Sequence, residues 1–308
     1  MPYSELRKDY FLNKYVVIVP GRERKPLEVK ESIKLAVPSR CLFCHPTVFE
    51  TQKVIKVVRS KKQKPWSILV IENKYPVTSE KNLKFYGHHE IVIETPFHHR
   101  EFAQLSVGEI SKILKVYAQR TKILSKDKKI EYILIFKNDG GLAGASIIHA
   151  HSQIFASRFL SPDVLEELLA AREYKLKNRN CPYCEIIKKE EKSPRLIEDS
   201  SCLVAFTPYA SFYNYEAWIF PRRHIDNVAS LNHNEIKFFA RVLKKILTKI
   251  EKINLSYNFF LHQVISEPDQ HFYFKIQPRR SIWGGIELGS GLVVNTVAPE
   301  KAAAYFRK

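Results

Sequence analysis

The chain has 308 residues, 45% hydrophobic and 12% aromatic, with 50 Lys and Arg against 32 Asp and Glu for a formal charge of +18. That length suits two ordinary domains and that composition a folded globular protein, while no apolar run approaches the roughly 20 residues needed to span a bilayer. The opening Met1-Pro2-Tyr3-Ser4-Glu5-Leu6 lacks the apolar centre of a secretion signal, so the expected location is the cytoplasm.

The positive charge predicts a surface that attracts anions such as phosphates and nucleotides. The lysine-rich segments 60–64 and 126–129 read as solvated turns, so nucleic acid is not the expected partner.

Taken in order, the chain predicts a strand over 15–19, a basic turn over 20–26, and then Cys41-Leu42-Phe43-Cys44, two thiols spaced to chelate one ion. Strands follow over 67–71 and 90–94, the second running into His98 and His99. Beyond Ser106, a helix carries Ile110, Ile113, Leu114 and Tyr117 as one apolar stripe. A strand over 131–136 leads to Asn138-Asp139-Gly140-Gly141, which reads as a tight hairpin turn, and then to a strand ending near Ile154.

The second half repeats this order. Cys181 and Cys184 answer Cys41 and Cys44. Strands over 203–206 and 216–220 answer the pair at 67–71 and 90–94. His98 precedes Leu105 by seven residues, and His224 precedes Leu231 by seven. A helix with Ile236, Phe239, Val242, Leu243 and Ile246 follows, then strands over 258–262 and 271–276. In this register His271 falls on His149, Tyr273 on His151 and Lys275 on Gln153. The charged segment 172–180 reads as a linker, which divides the chain into halves at 1–172 and 173–308.

The richest stretch is Gly144-Ala145-Ser146-Ile147-Ile148-His149-Ala150-His151-Ser152-Gln153. On a strand, His149, His151 and Gln153 would share one face. An isolated His-x-His would most simply be a polar strand face, but here distant residues supply partners. Cys41, Cys44, His98 and His149 make one closed set of zinc ligands, and Cys181, Cys184, His224 and His271 make a second, with His99 and His262 as possible substitutes. With His149 tied to a metal, His151 stays unliganded, and a neutral imidazole is a competent nucleophile toward phosphorus near pH 7. Gln153 and Ser146 can donate to the phosphate oxygens. The second half, with Tyr273 and Lys275 at the matching positions, should scaffold or bind instead of reacting. Cys202 reads as a small buried strand residue.

These residues resemble the galactose-1-phosphate uridylyltransferase family within the histidine-triad superfamily. The likeness runs through Leu6-Arg7-Lys8-Asp9, the segment 22–26, the first Cys pair, Glu72-Asn73-Lys74-Tyr75-Pro76, the segment 138–153, Gly285-Ile286-Glu287-Leu288-Gly289 and Asn295-Thr296. It implies an α+β fold of two histidine-triad-like halves whose antiparallel sheets join, commonly assembled as a homodimer. It also implies a cytoplasmic transferase of galactose metabolism working by ping-pong nucleotidyl transfer. There His151 takes a nucleoside monophosphate from a nucleotide sugar and passes it to a sugar 1-phosphate, with Gln153 and Ser146 assisting. By position, Arg22, Lys25, Asn73, Asn138, Ser146 and Gln153 would contact the nucleotide and Glu287 the sugar.

The family's second metal set, one glutamate and three histidines, is matched only by Glu166 or Glu167, His262 and His271. Ser281, Ile286 and Val293 replace its lysine, tyrosine and glutamine at the sugar end, which puts galactose in question. Two further readings therefore stand beside the first: a phosphorylase using inorganic phosphate on ADP-glucose or a diadenosine polyphosphate, and a non-catalytic nucleotide- or RNA-binding protein. The paired His151 and Gln153 argue against the latter, and hydrolysis would follow if water reached the intermediate.

Overall fold

The computed structural model describes residues 4–20, 22, 41–44, 46–59, 66–280 and 282–308. Lys25, the lysine run at 60–64 and Ser281 lie outside them. Strand-forming runs of β-branched and aromatic residues assemble into one ten-stranded antiparallel sheet. Its order is β3 (Val54–Val58), β4 (Ile68–Glu72), β5 (Gly87–Ile93), β7 (His151–Ser157), β6 (Tyr132–Asp139), β11 (Ser256–His262), β12 (Tyr273–Arg279), β10 (Ala217–Pro221), β9 (Leu203–Phe206) and β8 (Leu196–Asp199).

From either edge inward the chain order is the same, 3-4-5-7-6 and 8-9-10-12-11, so the two halves meet at β6 and β11. The registers make the repeat quantitative. Ile135 lies opposite Ile154, and Phe259 lies opposite Ile276. With Ile154 and Ile276 equivalent, so are Phe136 and Phe260, and these two pair with each other. The pseudo-twofold axis of this α+β fold passes between them.

Two long helices cover one face, α2 (Val107–Leu124) and α5 (His233–Lys252). Both begin with a capping box. Ser106 Oγ accepts from the Glu109 amide while Glu109 accepts from the Ser106 amide, and Asn232 and Glu235 repeat the exchange; each cap contributes roughly 1 kcal/mol. Their apolar stripes, including Ile110, Leu114 and Tyr117 on α2 and Phe239, Leu243 and Ile246 on α5, bury the inward side chains Ile133, Ile135, Ile154, Phe259 and Phe274. A small second sheet joins β1 (Glu5–Lys8), β2 (Tyr15–Ile18) and β13 (Val293–Asn295). No helix among the described residues is long and apolar enough to cross a membrane.

Three local expectations change. The connection from β6 to β7 is not a tight turn but an excursion over 140–150, with a short 3-10 turn at Gly141–Ala143. It leaves β6 at Gly140, whose φ of +81° and whose approach to Ser256, where a Cβ would sit 2.1 Å from Oγ, admit glycine only. His149 consequently lies just ahead of β7 and not within the strand that carries His151 and Gln153. The segment 172–180 is largely the end of helix α3 (Pro162–Asn178), whose charges are its solvated side while Val164, Leu168 and Ala171 are buried. Helix α4 (Pro182–Glu190) follows at once, with Cys181 as its N-cap.

Candidate active site and metal centres

On the sheet face away from α2 and α5, four side chains from separate elements converge. Cys41 and Cys44 come from the turn before helix α1 (Thr47–Thr51), His98 from the turn after β5, and His149 from the loop entering β7. Their ligand atoms lie within 4.8 Å of one another. Cys44 Sγ is 3.4 Å from His98 Nδ1 and 3.6 Å from His149 Nδ1, and Cys41 Sγ is 3.6 Å from His149 Nδ1. A tetrahedron with Zn–S of about 2.3 Å and Zn–N of about 2.0–2.1 Å has edges of roughly 3.3–3.8 Å, so the donors fit zinc. His149 Nε2 donates to the Thr95 carbonyl at 2.7 Å, which leaves Nδ1 with its lone pair toward the thiols.

The second set repeats the pattern. Cys184 Sγ is 3.5 Å from His224 Nδ1 and 3.8 Å from His271 Nδ1, and the other ring nitrogens donate to the carbonyls of Pro268 and Pro221, both at 3.0 Å. Cys181 completes it. His99 and His262 belong to neither set: His99 packs edge-on against His98, and His262 bonds to Glu167.

His151 opens β7 two residues after His149. Its Nδ1 donates to the His149 carbonyl at 2.9 Å, since a carbonyl can only accept, and the ring packs edge-on against Phe43. The lone pair is therefore on Nε2, which has no hydrogen-bond partner among the described residues. Burial, followed by the charge of Lys137, pushes the imidazole down to about 4, so it is neutral at pH 7.

Beneath it, on the helix-facing side, lies a buried polar group. Lys137 Nζ donates to Glu94 Oε2 at 2.9 Å and to the His151 carbonyl at 3.1 Å, and the Tyr117 hydroxyl bonds both Glu94 and Ser152. Gln153 projects from β7 on the His151 face, where its Oε1 lies 2.9 Å from His89 Nε2. In the second half Tyr273 and Tyr183 both donate to Glu167 Oε1, and His262 meets Oε2 at 3.0 Å. The place matching His151 is thus filled and sealed.

Of the remaining candidates, Asn73 lies against His89 within 3.4 Å and accepts from the Tyr75 amide. Asn138 accepts from Asn258 at 2.8 Å, Ser146 is exposed in the loop ahead of His149, and Arg22 is exposed beyond β2. Glu287 belongs to helix α6 (Gly285–Ser290), packed on β13, where its carboxylate accepts from the Gly284 amide. Sequence reasoning passed over His89 and the Lys137–Glu94 pair. The signal for Lys137 was its alternation with Ile133 and Ile135, which places a lysine on a core-facing side where it needs a buried partner.

Two joined histidine-triad halves, one open at its histidine and one closed, define a nucleotidyltransferase-like enzyme fold. A family model for the galactose-1-phosphate uridyl transferase N-terminal domain matches residues 72–161. The ADP-glucose phosphorylase of Arabidopsis thaliana is 31% identical over 330 residues, covering 99% of this chain and 92% of that protein. The galactose-1-phosphate uridylyltransferase of Thermotoga maritima is 26% identical over 331 residues, covering 99% and 98%. A crystal structure of an ADP-glucose phosphorylase from Arabidopsis thaliana with bound ADP-glucose superposes with a TM-score of 0.87 at 30% identity, over 99% of this chain and 98% of that one. The chain belongs to the galactose-1-phosphate uridylyltransferase family.

Proposed function

We propose that this protein transfers a nucleoside monophosphate from a nucleotide sugar, through His151, to a phosphate acceptor. The observation that carries the reading is the His151 tautomer: Nδ1–H is spent on the His149 carbonyl, so Nε2 presents its lone pair. Nε2 attacks the α-phosphorus, the N–P bond forms, the bond to the bridging oxygen breaks, and the sugar 1-phosphate leaves with that electron pair. The acceptor oxygen then displaces the imidazole and frees the nucleotide. Gln153 and Ser146 donate to the non-bridging oxygens as charge develops, and Arg22, Asn73 and Asn138 hold the nucleotide, with Lys25 as a further candidate. Zinc in each Cys2His2 set would act as a structural clamp, the first holding His149 and so the start of β7, the second holding His271 ahead of β12. Glu287 is the candidate sugar contact.

Inorganic phosphate is the acceptor favoured here over a sugar 1-phosphate. The similarity to the Arabidopsis phosphorylase supports it. The second reading, uridylyl transfer to a sugar 1-phosphate, is supported by the Thermotoga relative.

The two separate in one assay. ADP-glucose with inorganic phosphate should yield ADP and glucose 1-phosphate, whereas formation of UDP-galactose from UDP-glucose and galactose 1-phosphate at a higher kcat/KM would favour the second reading.

A further inference from the structure

We infer that His89 is a positioning residue that fixes which end of the Gln153 amide faces the substrate, an inference resting on the nucleotidyl-transfer reading above. His89 lies on β5, on the same sheet face as Gln153 and diagonal to it, since Ile91 is the residue directly opposite Gln153. It is 7% exposed and packs edge-on against Phe155.

Two contacts determine its proton. The Val77 amide donates to Nδ1 at 3.1 Å, so Nδ1 must carry the lone pair. The proton is then on Nε2, which donates to Gln153 Oε1 at 2.9 Å. An imidazolium would set Nδ1–H against Val77 N–H, and burial holds the ring below the ordinary histidine range. With its oxygen occupied, Gln153 turns its NH2 outward as a donor, and that group has no partner among the described residues. In the opposite flip Gln153 would present a carbonyl oxygen to the phosphate, and repulsion would replace the hydrogen bond.

His89 also orders the neighbouring turn. The Asn73 amide N–H donates to the His89 carbonyl at 2.8 Å. Asn73 Nδ2 lies 3.4 Å and 3.3 Å from the two ring nitrogens, a spacing that fits the ring face. One imidazole therefore sets a phosphate donor on β7 and, through the Val77 amide, the segment after β4 together.

The test combines spectroscopy with a double-mutant cycle. In the unmutated protein, a long-range 1H–15N imidazole spectrum, with the His89 signals identified by their absence in His89→Gln, should show the Nε2–H tautomer; the Nδ1–H tautomer or an imidazolium at pH 7 would overturn the assignment. Kinetics follow with whichever of ADP-glucose and UDP-glucose labels the wild type. His89→Leu should lower kcat by about ten- to a hundredfold, with KM less affected. Its effect should shrink to about twofold or less in a Gln153→Ala background. His89→Gln, which can accept from Val77 and donate to Gln153, should recover most of the loss. Equal losses in both backgrounds would show that His89 acts only on stability and would overturn the inference. A wild type that labels with neither donor would instead sink the transfer reading itself, and the functional part of this inference with it.

Discussion

Lys137 Nζ lies 3.1 Å from the carbonyl oxygen of His151, and its nearest carboxylate, Glu94 at 2.9 Å, is buried with it on the far side of the sheet. A charge that would be costly alone is matched chiefly by Glu94, with Asp139 3.9 Å away, and its remaining hydrogen bond goes to the backbone of the proposed nucleophile. The strand that presents His151 to its cleft is thereby anchored from behind.

Replacing Lys137 with Met should leave Glu94 buried without its partner and cost about 3–5 kcal/mol of stability, read by urea unfolding. The double variant Lys137→Met, Glu94→Leu should recover part of that loss. If the single change costs under about 1 kcal/mol, the pair is not holding the strand.

Metal content is the next expectation. Elemental analysis of the purified protein should give two zinc ions per chain, and Cys41→Ser should lower this to one, because each set draws on its own half. Chelation should lower the melting temperature sharply, since a structural zinc contributes on the order of 10 kcal/mol. Added zinc should restore it. One zinc in the wild type would mean that the second set holds none.

The sealed second half predicts a pH effect. Burial alone would raise the Glu167 carboxyl, but the His262 charge and hydrogen bond, with Lys275 and the Tyr183 hydroxyl, hold it down to about 2 from an ordinary 4.5. A depressed carboxyl contributes stability that is complete above its unfolded value and is lost as pH falls toward its folded one. Between about pH 4.5 and 2, the wild type should therefore lose more unfolding free energy than Glu167→Gln. Parallel curves for the two proteins would contradict this.

How much of this was legible depended on whether a signal was local. The two C-x-x-C pairs, the helical stripes after Ser106 and Asn232 and the alternation in the central strands are patterns within a few residues, and from them the repeat and both candidate sets of metal ligands could be read, while the α+β class came with the family resemblance. The expected strand begins too early, at His149, because the alternation of His149, His151 and Gln153 suits a strand, whereas the preceding loop leaves β6 at Gly140, packed on Ser256 over a hundred residues away. The end of helix α3, in the segment 172–180, reads as linker in the sequence because its charges dominate, while the buried stripe Val164, Leu168 and Ala171 lies ahead of it. His89 was invisible for a related reason: it matters only through Val77 and Gln153, contacts that exist once β4, β5 and β7 are side by side.

The most direct test of the account is covalent. The protein would be incubated with ADP-glucose or UDP-glucose labelled at the α-phosphate, denatured and mapped by peptide. The account predicts one label, on His151, acid-labile and base-stable, removed by adding the phosphate acceptor before denaturation. It also predicts a loss of labelling on the order of a thousandfold or more in His151→Asn. Label on another residue, or equal labelling of His151→Asn, would contradict it.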